Sequence, residues 1–157
     1  MAWTAPKTWT AEPLTVADMN LHIRDNLLAL RDLSRYVYQG STNLTTTSGS
    51  YTFIDITNLN ADISIDVDSG KIEVEFIGTV TCNVAAILYL QLYHDGVAIM
   101  SSTVSIEAAN RYREVAIRKS LGSLDAGTHT FDVRWYTSSG MATLLGGHYN
   151  FAIREVL

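Results

Sequence analysis

KIEVEFIGTVTCNV (residues 71–84) is the stretch whose reading decides the fold. Ile72, Val74, Phe76, Val80, Cys82 and Val84 fall on one side, and Lys71, Glu73, Glu75, Thr79, Thr81 and Asn83 on the other. A period of two is the period of a strand with one face in a core and one in water. Gly78 lies on the apolar side, where it marks a bulge or a close approach. Cys82 falls within the pattern, and a lone cysteine there reads as a small buried hydrophobe rather than a nucleophile.

The same alternation spreads outward from this strand. Upstream, YTFIDI (51–56) and ADISIDV (61–67) read as two strands, and DSG (68–70) as the turn before Lys71. Downstream, AAILYLQLYHDGVAIM (85–100) reads as a hairpin turning at Asp95-Gly96. Leu88, Leu90 and Leu92 face one way, and Ile87, Tyr89 and Tyr93 the other. Both sides of that strand are apolar, so both are expected to be covered, one of them at a subunit interface.

RYREVAIRKS (111–120) follows, and LDAG (124–127) turns the chain into THTFDVRWY (128–136), with His129, Phe131, Val133 and Trp135 on one face. MATLLGGHYNFAIREVL (141–157) closes the domain, with Tyr149, Phe151 and Ile153 sharing a side. About eight strands with short turns over residues 51–157 predict a mainly β protein, an antiparallel sandwich of jelly-roll type.

The N-terminal third has a different grammar. Pro6 and Pro13 keep residues 1–14 extended. Trp3, Trp9 and Leu14 have nothing local to bury them, so this segment reads as a docking arm. Thr15 is placed to cap a helix, with Asp18 reaching back and Leu14 and Met19 as a hydrophobic staple. The helix is expected over 15–39, ending at Gly40. Val16, Asn20, Ile23, Leu27, Leu30, Ser34 and Val37 are spaced alternately four and three apart, as in a coiled-coil seam. Leu21, Leu28 and Leu33 widen the stripe, which suits either a trimer of helices or a helix lying on its own sheet. Residues 40–50, rich in Ser, Thr and Gly, read as a linker.

Composition excludes several function classes. The chain of 157 residues suits one domain with an appendage. Its net charge of -5, with 17% of residues charged, argues against a nucleic-acid surface. No apolar run approaches the length of a membrane span, and the first residues lack a basic cluster followed by an apolar run.

Chemistry is sparse in the sequence. His22, His94, His129 and His148 have no ligand spacing, although His129 and His148 could meet on adjacent strands, and no metal or other cofactor is expected. There is no nucleophile elbow, and Glu73 and Glu75 read as a wet strand face, so an enzyme is not expected. Asp62, Asp66 and Asp68 do not match a calcium loop. Eight tyrosines, with Trp135, suit either a carbohydrate groove or interface packing.

The leader AWTAPKTWTAEPLTVADMNLHIRDNLLAL (2–30) resembles that of structural proteins of tailed bacteriophages and prophages. The likeness is carried by Trp3, Pro6, Trp9, Thr15, Ala17, Asp18, Asn20, Ile23, Arg24, Asp25, Asn26, Leu27, Leu28, Ala29 and Leu30. LDAGTHTFDVRWYTSSGMATL (124–144) resembles more loosely the trimeric β heads of phage fibres and the C1q/TNF-like jelly roll, through Leu124, Ala126, Gly127, His129, Phe131 and Trp135. The resemblance implies a non-enzymatic, homotrimeric virion component: a tail-fibre or tail-associated head domain anchored to other virion proteins and contacting a host-surface glycan. Alternatives are a capsid decoration protein and a carbohydrate-binding module.

Overall fold

The computed structural model describes residues 15–16, 35–47, 54–65 and 71–156. They form nine strands: β1 Arg35–Gly40, β2 Leu44–Thr46, β3 Ile54–Ile65, β4 Lys71–Cys82, β5 Ala86–His94, β6 Val97–Ile106, β7 Arg113–Leu121, β8 Gly127–Thr137 and β9 Ala142–Val156. The strands make two antiparallel sheets, one in the order β1-β9-β4-β7 with β2 also paired to β9, the other β3-β8-β5-β6. This is the expected mainly β, jelly-roll-like sandwich.

The core lies between the sheets because each strand turns its apolar alternate positions inward. Ile72, Val74, Phe76, Val80 and Cys82 of β4 meet Leu88, Leu90 and Leu92 of β5, all of them fully buried. Phe131, Val133 and Trp135 of β8 and Leu144, Tyr149, Phe151 and Ile153 of β9 complete it. The faces assigned from the alternation of 71–82, 86–94 and 128–136 are therefore correct. Val84 is an exception: the strand ends at Cys82, and Val84 is exposed in the following bend. Gly78 stands where the β4–β9 register shifts, and a Cβ on it would come 2.7 Å from Leu144 Cδ1. The hairpin at Asp95-Gly96 has positive φ at both residues, 47° and 76°, as a primed two-residue turn requires.

Four expectations are corrected. First, residues 35–39 are not helical: Arg35–Gly40 is strand β1, paired with β9 from Arg35↔Arg154 to Gly40↔Tyr149. Tyr36 and Tyr38 point inward, Tyr36 edge-on to Phe151 at 5.9 Å and Tyr38 beside Tyr149 at 6.3 Å. Burial of those two rings is what the strand gains over a last helical turn. Val37 thus leaves the proposed seam and lies exposed on the sheet. Second, Gly40 is no helix terminator: a Cβ there would land in the Tyr149 ring. Third, the segment expected as a linker contributes β2, with Leu44 opposite Leu144 and Thr46 buried. The sandwich therefore begins at Arg35 rather than at 51. Fourth, the two strands expected over 51–67 are one, β3, interrupted by a register shift between Asp55 and Asn60.

Val16 is helical and 78% exposed. Trp3, Pro6, Trp9, Leu14, Asp18, Asn20, Ile23, Leu27 and Leu30 lie outside the described residues.

Candidate functional site

Three surfaces concentrate the side chains that carry chemistry or contact. The first is the outward face of β3-β8-β5-β6. Tyr89 and Tyr136, opposite each other on β5 and β8, stack with ring centres 4.4 Å apart. The Tyr93 hydroxyl donates to Gln91 Oε1 at 2.7 Å, and the Arg134 guanidinium lies 4.0 Å above the Tyr93 ring. Arg134 also donates through two nitrogens to both oxygens of Asp132, at 2.8 and 3.1 Å. On the second apolar side of β5, Tyr89 and Tyr93 are thus half-buried against their neighbours on β8, while Ile87 stays exposed. Trp135 and Tyr149 point into the core and belong to no surface groove, while Tyr112 is 61% exposed.

The second surface is the outward face of β1-β9-β4-β7. Val37, Ala152, Glu75 and Arg118 form one row across it, and Gln39, Asn150, Ile77 and Ala116 the next. Val37 and Ile77 are exposed, whereas Ala152 is sunk between Val37 and Glu75 at 2% exposure. Arg118 spans the rim, its Nη2 2.7 Å from Glu73 and its Nε 3.9 Å from Glu75. Thr81 Oγ1 and Asn150 Oδ1 are buried on this face and have no hydrogen-bond partner among the described residues. Buried polar atoms are nearly always paired in native proteins, so two on one face are notable.

The third surface is the end of the second sheet, where the β5–β6 turn folds against β8. His94 pairs in register with Phe131 and stacks on its ring at 4.7 Å, which brings His129, two residues earlier, alongside. His94 Nε2 and His129 Nδ1 are 3.2 Å apart. Asp95 Oδ2 lies 3.1 Å from the former and 2.9 Å from the latter. Its other oxygen accepts the Thr130 N–H at 2.8 Å, and the Asp95 N–H donates to the Thr130 carbonyl at 2.8 Å. His129 Nε2 lies 3.0 Å from the Asp125 carbonyl. A carbonyl only accepts, so that nitrogen carries a proton.

These contacts shift the titrations in opposite directions. His129 is raised, mainly by its hydrogen bond to Asp95 and then by the Asp125 carbonyl. His94 is lowered, by burial first and further by His129, against the pull of Asp95. Burial acts to raise Asp95, but the Thr130 N–H and the two imidazoles outweigh it and hold the carboxyl low.

The expected meeting of His129 with His148 does not occur: His129 lies on β8 in one sheet and His148 on β9 in the other. The partner of His129 is His94, with Asp95. Sequence spacing gave no hint of this, since 35 residues separate the two histidines. Cys82 is buried, as expected, and its thiol donates weakly to the Ser139 carbonyl at 3.4 Å.

Two antiparallel sheets, this strand order and a single intervening core define a jelly-roll-like β-sandwich. Among solved structures the chain is similar to Eiger TNF from S. frugiperda, with 10% identity over 80% of this chain and 93% of that one and a TM-score of 0.50. It is also similar to part of dimeric latent PorU from Porphyromonas gingivalis, with 14% identity over 79% of this chain and 13% of that one and a TM-score of 0.44. At 10% identity the likeness to Eiger TNF is one of fold, and it agrees with the expected jelly-roll-like β domain. No protein-family model and no curated protein matches the sequence.

Proposed function

We propose that the chain is a non-enzymatic structural subunit of a bacteriophage particle, a homotrimeric tail-fibre or tail-associated head domain. The phage-like leader supports the location, and the outward face of β1-β9-β4-β7 carries the assembly. Val37, Ile77, Ala116 and Ala152 make its uncharged centre, rimmed by Glu73, Glu75 and Arg118. A second copy laid on this face covers the exposed side chains of Val37 and Ile77.

In this reading the sandwich projects, and the segment ahead of Arg35 attaches. Trp3, Pro6, Trp9 and Leu14 dock on another virion protein, while Ile23, Leu27 and Leu30 hold three helices together. The test is antibody labelling of the β domain on purified particles from cells that produce the chain. Label at the tail is expected. Label over the head facets would replace the tail by the capsid-decoration reading, and particles without label would overturn both. The tyrosine face of the other sheet favours a second reading, glycan binding, because Tyr89, Tyr93 and Tyr136 lie together with Gln91 and Arg134. A glycan array with the purified chain tests it.

A further inference from the structure

The three groups at the end of the second sheet come from two ends of one register. The two-residue turn places Asp95 directly after His94, and pairing of β5 with β8 carries His129 to the same point. The ligand-capable atoms His94 Nε2, Asp95 Oδ2 and His129 Nδ1 make a triangle with sides of 2.9, 3.1 and 3.2 Å. Bonds of about 2.0–2.2 Å from a zinc-like ion, at angles between octahedral and tetrahedral, put neighbouring ligand atoms roughly 2.8–3.6 Å apart. The triangle therefore has the size of one face of a coordination polyhedron.

The surroundings are those of a held ligand set. His129 is oriented by its Nε2–H on the Asp125 carbonyl, which turns Nδ1 toward the other two groups. Metal-bound imidazoles are usually fixed in this way. Asp95 is tied to Thr130 through both its backbone N–H and Oδ1, leaving Oδ2 to face the histidines. Thr130 is itself anchored, its hydroxyl donating to Asp62 Oδ1 at 2.7 Å. The histidine side chains are mostly buried, at 18% and 15% exposure, but Asp95 is 45% exposed, so an ion has a path from solvent and room for water ligands.

We propose that His94, Asp95 and His129 form a binding site for one divalent transition-metal ion per chain, zinc being the first to test. Two imidazoles and a carboxylate favour zinc, nickel, cobalt or iron over calcium and magnesium, which prefer oxygen ligands. All three ligands belong to one chain, so the site does not depend on the assembly or on the particle. The ion clips the β5–β6 turn to the start of β8. The competing arrangement fills the same space with protons, His129 donating from Nδ1 and His94 from Nε2 to Asp95.

The test uses the full chain, stripped with EDTA and dialysed, titrated with zinc chloride by calorimetry and melted with and without the metal. One zinc per chain and a raised melting temperature are expected, with binding weakening as the pH falls and the imidazoles protonate. Cobalt(II) should give a visible absorption band. His129→Gln and Asp95→Asn should each lose the heat, the melting shift and the band, while circular dichroism in EDTA shows the native sheet signal. The double variant His22→Gln/His148→Gln should keep all three. Absence of binding at millimolar zinc overturns the proposal, as does binding that survives Asp95→Asn and His129→Gln or vanishes in the His22/His148 variant.

Discussion

Gly40→Ala separates the strand account of the N-terminal boundary from a helical one. If Gly40 followed a helix in the left-handed conformation, alanine there would cost about 1 kcal/mol by backbone strain alone. In the structure Gly40 is not among the glycines with positive φ, and it pairs with Tyr149 across β1 and β9. A Cβ at 40 would overlap the Tyr149 ring, which is 2% exposed and donates its hydroxyl to the Thr42 carbonyl at 3.1 Å. The ring must shift within a packed layer, an overpacking cost of about 1–3 kcal/mol. Loss of the hydroxyl contact adds about 0.5–1.5 kcal/mol. The expected total is about 1.5–4.5 kcal/mol, a fall in melting temperature of roughly 6–18 °C for a domain of this size. The assay is urea unfolding of Gly40→Ala, Tyr149→Leu and the double variant. Because a leucine in place of Tyr149 would vacate the space, the double variant should be more stable than the sum of the single effects by at least about 1 kcal/mol. Additive effects, or a Gly40→Ala change within about 0.5 kcal/mol, would refute the reasoning.

Three further predictions concern the core, the histidines and the assembly. Leu90→Ala removes a fully buried side chain beside Trp135, its partner across β5 and β8, and should cost about 2–5 kcal/mol in urea unfolding. In metal-free protein, His129 is raised above 6.5, so its contribution is complete below that value and is lost as the pH rises through the higher folded value. His94 is lowered, so its contribution is complete above 6.5 and is lost as the pH falls through the lower folded value. Denaturation midpoints followed across neutral pH should show the alkaline decline disappearing in His129→Gln and the acid-side decline disappearing in His94→Gln. On the proposed helical seam, Leu27→Asp combined with Leu30→Asp should dissociate the assembly by placing charge in it, and an unchanged solution mass would overturn that seam.

The sandwich was legible wherever one face of a strand is buried and the other wet. Residues 71–82, 86–94 and 128–136 gave both the strands and the correct inward sides, because burial on one side imposes a period of two. Residues 35–39 misled for a physical reason. Over five residues, alternation of Tyr36 and Tyr38 around Val37 is compatible with the tail of a heptad pattern, and only pairing with β9, more than a hundred residues away, decides between them. The same distance hid β2, three residues of Leu and Thr whose strand character comes from Leu144, Thr143 and Ala142. Residues 51–67 read as two strands rather than one because a polar interruption and a register shift look alike in sequence. The histidine cluster needed one more fact than the pattern offers. The Asp-Gly turn located Asp95, and both strands were assigned, but their mutual register, His94 against Phe131, could be read only from the structure.

The outward face of β1-β9-β4-β7 as a contact between copies is the central claim, and solution mass measured by light scattering over a range of concentrations tests it most directly. The account predicts three times 17.3 kDa, persisting on dilution, and a shift toward 17.3 kDa in Ile77→Arg with the native sheet signal retained. A mass of 17.3 kDa for the unaltered chain at every concentration, or a trimer indifferent to Ile77→Arg, would contradict it.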